Sequence, residues 1–211
     1  MAKTEHPMQA LREFLPENSF EQVVYYLNYY KAELTITRKR KTLLGAYRNA
    51  TKDKNHRISV NGNLNPYDFL ITLLHELAHL LVFEKYGHHI AAHGKEWKQT
   101  YAGILAIFLQ DQIFPQDITA ALYRSLKNPG ASACSDVELG RVLKKYDAPA
   151  KGVLIESLEN GQIFFTTDGK KFIKLKKIRS RYLCMEINSG KQYSFSALYE
   201  VVPDKENIQS V

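Results

Sequence analysis

Cysteine is almost missing from this chain: Cys134 and Cys184 are the only two among 211 residues, far apart and without Cys-x-x-Cys spacing. That excludes a disulfide framework and a thiolate zinc ribbon, and it fits a reducing cytoplasm. An unbroken apolar run of bilayer length is also missing. The most apolar stretch, from Phe69 to Phe83, is shorter than the roughly 20 residues a membrane requires and is interrupted by His75, Glu76 and His79. It reads as a core helix, and no membrane partner is expected. The start, Met1-Ala2-Lys3-Thr4-Glu5-His6-Pro7, lacks the basic and then apolar pattern of a secretion signal, so export is not expected. Acids are the scarcer charge, 22 against 29 lysines and arginines, and the net charge of +7 favours an anionic partner. What remains is ordinary globular composition, 45% hydrophobic and 24% charged, in a length that holds one domain and a smaller module.

Patterning along the chain predicts an α+β fold. Pro7 to Phe14 and Ser19 to Lys31 have helical periodicity, the second with Ser19 and Gln22 at capping-box spacing. The period then changes. Leu34 to Thr37, Thr42 to Arg48 and Arg57 to Val60 read as strands of a small antiparallel sheet. A long helix should start near Asn65-Pro66, with proline in its first turn, and end before Gly87. The next begins around His93-Gly94 with Trp97, Tyr101, Ile104, Leu105 and Phe108 as its buried stripe, and Pro115 to Leu126 suggests another before Asn128-Pro129-Gly130 closes the unit.

Inside the long apolar helix stands His75-Glu76-Leu77-Ala78-His79. Polar groups stripped of water there cost several kcal/mol each unless compensated, and a metal ion compensates them. Residues i and i+4 share one helical face, so both imidazoles can reach one Zn²⁺ while Glu76 stays free to hold a water. The five-residue pattern also occurs by chance in helices with merely solvated histidines, and here the apolar surroundings favour the metal. A catalytic zinc takes three protein ligands. His88, His89 and His93 are the remaining nearby histidines; His93 is favoured, at the start of the following helix, and Glu96 is its rival. The close-spaced pattern that adds a glycine and a third histidine is excluded, since Val82 and Lys85 occupy those positions.

With Leu74 to His79, the later His93-Gly94-Lys95-Glu96-Trp97, and the preceding Leu44-Gly45-Ala46-Tyr47 and Ile58-Ser59-Val60-Asn61, the chain resembles the SprT-like family, which includes the Spartan proteases. The resemblance covers roughly residues 15 to 125. It implies a minimal zincin-like fold, helices on a small sheet, with one catalytic Zn²⁺ on His75, His79 and His93, and Glu76 as acid/base. It also implies work near DNA, single-stranded or damaged duplex, on proteins bound or crosslinked to it, in the cytoplasm or at the nucleoid. Many members carry a C-terminal ribbon with paired cysteines; this chain has only Cys184 in that region, so any such module is metal-free.

The expected organisation is a metalloprotease domain over 1–128, a linker with a short helix over 129–150, and a basic β module, ribbon-like or barrel-like, over 151–211. Val153 to Ile155, Gln162 to Phe165, Phe172 to Ile178 and Arg181 to Ile187 are its strand candidates, with turns at Asn160-Gly161, Asp168-Gly169 and Ser189-Gly190. Ile173 and Leu175 alternate with Lys174 and Lys176, which predicts an apolar inner and a cationic outer face. Lys170, Lys171, Lys177, Arg179 and Arg181 extend that face, and Arg38 and Arg40 add a second basic segment to a nucleic-acid track. A solvated edge that resists aggregation is the plainer reading. The expected activity is zinc-dependent peptide hydrolysis. A zinc-stabilised nucleic-acid-binding protein without protease activity and a general cytosolic peptidase are the other two readings.

Overall fold

The apolar stretch around His75 forms α2, Pro66–Tyr86, in a computed structural model that describes residues 8–40, 43–126, 136–149 and 152–204. Its start is capped twice over. The Asn65 side-chain oxygen accepts the Asp68 N–H at 3.0 Å, Pro66 occupies the first turn, and the Asn65 amide donates to the Leu143 carbonyl at 3.0 Å. Gly87, at φ 69°, ends it in a conformation that costs glycine little. By length and composition this helix passes for a membrane span, but 67% of its most apolar window is buried within the fold. Phe69, Leu70, Ile71, Leu73, Leu74, Leu77, Ala78 and Leu80 are fully enclosed, and emptying any one of the leucines to alanine costs about 2–5 kcal/mol.

The chain is α+β and divides into two units, Met1–Tyr146 and Asp147–Val211. In the first, a 3₁₀ turn (Gln9–Phe14) and α1 (Phe20–Tyr29) precede three strands: β1 (Glu33–Thr37), β2 (Gly45–Arg48) and β3 (Arg57–Asn61). Their order is β1-β3-β2, with β1 parallel and β2 antiparallel to β3. The sheet is therefore mixed and not antiparallel as expected, because β1 lies beside β3 and not beside its neighbour in sequence. Ile58 and Val60 face the helices with 1% and 0% exposure. After α2 come α3 (Lys95–Gln110), buried through the expected Trp97, Tyr101, Ile104, Leu105 and Phe108, and α4 (Gln116–Leu126).

One local expectation fails, and the expected short helix in the linker is found but belongs to the first unit. No capping box forms at α1: Ser19 has helical backbone angles and its hydroxyl donates to the Pro16 carbonyl at 2.7 Å, leaving Gln22 Oε1 without a partner. The proposed linker contains α5 (Val137–Leu143), capped by Asp136, whose Leu139 and Leu143 join the first core. The unit thus runs to Tyr146 and not to 128. Lys41, Thr42, Asn128 to Gly130 and Cys134 lie outside the described residues.

The second unit carries six strands in the order β4-β9-β5-β6-β7-β8: β4 (Val153–Leu154), β5 (Ile163–Phe165), β6 (Lys171–Ile178), β7 (Arg181–Glu186), β8 (Gln192–Ser196) and β9 (Glu200–Pro203). The last two were not foreseen, although β9 pairs with both β4 and β5. Gly161, Gly169 and Gly190 hold positive φ at the three turns that were. Ile155, Leu158, Phe164, Phe172, Cys184 and Val201 form its core.

Lys174 corrects the face assignment on β6. Phe172 and Lys174, each 3% exposed, are the buried alternating pair and Ile173 and Leu175 are only half-buried, so the inner face is the opposite of the one expected; Lys174 stands across from Cys184, ahead of a register irregularity between Lys174 and Lys176. Its ammonium donates to the Leu158 carbonyl and sits 4.0 Å from the Tyr182 ring centre, while burial lowers its pKa. Lys174 is a core amine and not part of a cationic surface.

Candidate metal centre

One turn apart on α2, His75 and His79 project towards His93, which stands at φ 61° in the bend before α3. The Nε2 atom of His93 is 3.1 Å from that of His75 and 3.0 Å from that of His79, and one ligand atom from each of the three lies within 4.8 Å of the others. Two bare nitrogen lone pairs at such distances repel unless a proton or a cation lies between them. Protons are disfavoured: burial first, then the neighbouring imidazoles, lower His75 to about 3, and burial followed by His93 lowers His79 to about 4. Zn–N bonds of 2.0–2.1 Å in a tetrahedron set ligand nitrogens roughly 3.3 Å apart, so three neutral imidazoles so placed fit a single metal ion. Glu96 is outside the converging group, and His88 and His89 are exposed on the turn after α2.

Trp97, fully buried on the first turns of α3, touches all three imidazoles, with ring centres 4.6 Å from His75, 5.3 Å from His79 and 4.6 Å from His93. Tyr101 stacks behind it at 5.0 Å. A rigid indole backed by a second ring thus fixes the imidazole orientations by packing alone.

Glu76 lies beneath β2, with 7% exposure. Burial raises its carboxyl to about 7, against the opposing pull of the Arg40 charge and the Tyr47 backbone N–H. Arg40, expected among the nucleic-acid contacts, has its guanidinium engaged within the fold: it donates to Asn61 at 2.7 Å, Ser59 at 3.0 Å and the Leu44 carbonyl at 3.1 Å. It clamps the start of β2 and biases Glu76 towards its charged form.

β2 passes so close to Glu76 that only a glycine fits at Gly45. A Cβ there would stand 2.6 Å from the Glu76 Oε1 atom and 2.7 Å from Thr72 Cγ2. Since the backbone of Gly45 is not in the left-handed region, the cost of a side chain is crowding alone. Gly45→Ala is expected to lose about 1–3 kcal/mol of stability, read as a lower thermal midpoint, with metal content retained because the three imidazoles lie elsewhere. An unchanged midpoint would show that β2 moves freely off the helix.

Sequence reasoning missed a second tier. Tyr47, on β2, lies parallel to His79 at 6.4 Å between ring centres, and its hydroxyl is 2.9 Å from His56 Nδ1. The Ala50 N–H donates to the same nitrogen at 3.1 Å, so the His56 proton sits on Nε2, 3.0 Å from Glu84 Oε1. Glu84 on α2 therefore holds His56, His56 holds Tyr47, and Tyr47 flanks the His79 ring while its own N–H steadies Glu76. A cavity of about 180 Å³ opens beside His79, lined by Tyr47, Val82, Phe83, Ile90, Ala92 and Trp97 among others.

The remaining expected contacts scatter. Lys170 pairs with Glu186 at 3.5 Å and Lys171 with Asp204 at 2.8 Å. Arg181 donates to Ser194 through Nε and Nη2. Arg38, Lys176, Lys177 and Arg179 are exposed. In comparison with known proteins, the SprT-like family matches residues 12–118, about half of the chain, a span that contains all three imidazoles, Glu76, Tyr47 and Trp97. No curated protein and no solved structure matches.

Proposed function

The chain belongs to the SprT-like family, and from that premise we propose that it is a zinc-dependent metallopeptidase of zincin-like architecture acting on proteins bound or crosslinked to DNA. The observation that carries this reading is the meeting of three neutral imidazoles beside a buried carboxylate whose pKa is drawn towards 7. His75, His79 and His93 would hold the ion. Bound Zn²⁺ supplies a Lewis acid that acidifies a water and polarises the scissile carbonyl. Glu76 accepts the proton of the attacking water and delivers it to the leaving amine. Tyr47 N–H keeps that carboxylate aimed, and Gly45 leaves it room. β2 ends its sheet beside the site, so an extended peptide can add to it as a further strand. The cavity next to His79 takes one side chain of that peptide.

Nucleic-acid contact is supported by the net charge of +7 and by the exposed Lys176, Lys177 and Arg179 on the β6–β7 hairpin. The paucity of cysteine favours the cytoplasm as the site of action. The reading is tested by incubating zinc-loaded protein with a DNA-binding protein, with and without DNA, beside Glu76→Gln. Cleavage that requires Glu76 and rises with DNA is the expected result. Cleavage indifferent to DNA makes the chain a general peptidase, and unchanged DNA affinity with no cleavage by either form makes it a zinc-stabilised binding protein.

A further inference from the structure

Residues 33–61 contain eight lysines and arginines against two acids, Glu33 and Asp53. Strand alternation sorts them. Gly45, Tyr47, Ile58 and Val60 face α2, so the partner pair Arg48 and Arg57 projects from the opposite, solvent face of the sheet. Like charges directly across an antiparallel pair destabilise it, yet neither arginine has an ion-pair partner among the described residues. Arg57 Nε is buried without any hydrogen bond, although Glu33 is its neighbour on β1; Glu33 accepts from Asn55 at 3.3 Å instead. Lys52 and Lys54, on the β2–β3 connection, join Arg57 in lining an open cavity of about 630 Å³, against the two acids Glu33 and Asp53 on the same wall. At the far end of the same sheet Arg38 and Lys39 are exposed. Elsewhere some basic residues do find acids, as Arg12 meets Glu21 at 2.6 Å and Arg141 meets Glu138 at 2.7 Å.

We propose that this solvent face, centred on Arg48, Arg57, Lys52 and Lys54, is a binding surface for the phosphate backbone of a nucleic acid. The inference rests on the DNA reading above and gives it a place on the catalytic unit. Charge density favours a nucleic acid over an acidic peptide. Five residues of strand span about 16 Å, over which one nucleic-acid strand in a helix presents about five phosphates. An extended peptide turns only alternate side chains to one face, about two or three carboxylates over that length. The four central cations, with Arg38 and Lys39 exposed at the far end of the sheet, come nearer the former. Guanidinium groups are planar forks suited to phosphate oxygens. Binding of this kind reads no sequence and weakens with salt.

The test is binding of a fluorescent single-stranded oligonucleotide to the full chain across a salt series, which does not depend on peptidase activity. Lys52→Ala/Lys54→Ala and Arg48→Ala/Arg57→Ala are each expected to weaken binding about tenfold or more at low salt. Each should also flatten the plot of log affinity against log salt by about 1.4, or 0.7 per phosphate contact. The lysine pair lies in an exposed loop, so it remains decisive if the arginine pair impairs folding. Poly-L-glutamate at equal charge should compete poorly; equal competition overturns the nucleic-acid assignment. Unchanged slopes in both hairpin variants, with binding lost in Lys176→Ala/Lys177→Ala/Arg179→Ala, overturn the proposal while sparing the DNA reading. No binding by the parent chain overturns both.

Discussion

Glu76→Gln is expected to lower turnover by about 10²–10⁴-fold, the usual contribution of a positioned acid/base, with one zinc per chain retained. The amide fills the space of the carboxylate under Gly45 and its oxygen still accepts the Tyr47 N–H, so geometry survives while the proton acceptor is lost. A second readout comes from the metal-free protein. Burial raises the Glu76 pKa in the fold to about 7 from an ordinary 4.5, so the folded state holds this proton more tightly than the unfolded chain. Its contribution to stability is therefore complete below about pH 4.5 and is lost as the pH rises through 7. Glutamine has no such dependence. The thermal midpoint of metal-free Glu76→Gln should rise relative to the parent between pH 5 and 8, the histidine contributions cancelling in the difference. Bound zinc draws the carboxyl pKa back down, so the difference should shrink in the loaded protein. Equal turnover in parent and variant ends the general-base assignment.

The legible parts of this fold were those written in local pattern. Pro66 and Gly87 bracket α2 because one lacks an N–H that a first turn does not use and the other accepts a positive φ. Spacing places His75 and His79 on one face, and the Trp97 to Phe108 stripe follows from helical period. What was illegible depends on pairs far apart in the chain. The mixed sheet follows from β3 lying between β1 and β2, not from any residue in β1. Glu84 and His56 are 28 residues apart and meet only because α2 passes behind β2 and β3. Gly45 falls inside the strand expected over Thr42 to Arg48, and no local pattern shows that Glu76 lies against it. Lys174 obeys strand alternation but on the inner face with Phe172, which residue polarity does not show, because long aliphatic stems let lysine lie inside when one carbonyl receives the ammonium. β8 was missed although Tyr193 and Phe195 alternate with polar neighbours and it pairs with its chain neighbour β7, whereas β9 lies between β4 and β5, out of chain order.

Replacing His93 should weaken zinc binding more than about a hundredfold, since even an outer-shell partner of a metal ligand is worth up to that much. The choice of substituent matters. At φ 61°, alanine adds about 1–2 kcal/mol of left-handed strain, whereas asparagine tolerates this region. His93→Asn therefore removes the imidazole and keeps the bend that starts α3. Glu96→Ala, in the first turn of that helix and outside the converging donors, should change zinc affinity only a few-fold. Competition against a fluorescent chelator separates the two, and the reverse order would transfer the third ligand to Glu96. Acid supplies an independent check. His75 and His79, held near 3 and 4 by burial, bind protons only weakly in the fold but near 6.5 once unfolded. Stability from these neutral rings is present above pH 6.5 and is lost as the pH falls towards 4 and 3. Metal binding, which needs the same neutral nitrogens, raises the stability of the parent above that baseline. His93→Asn should lose this zinc-dependent increment at pH 7 and still show the acid transition of its two remaining buried rings.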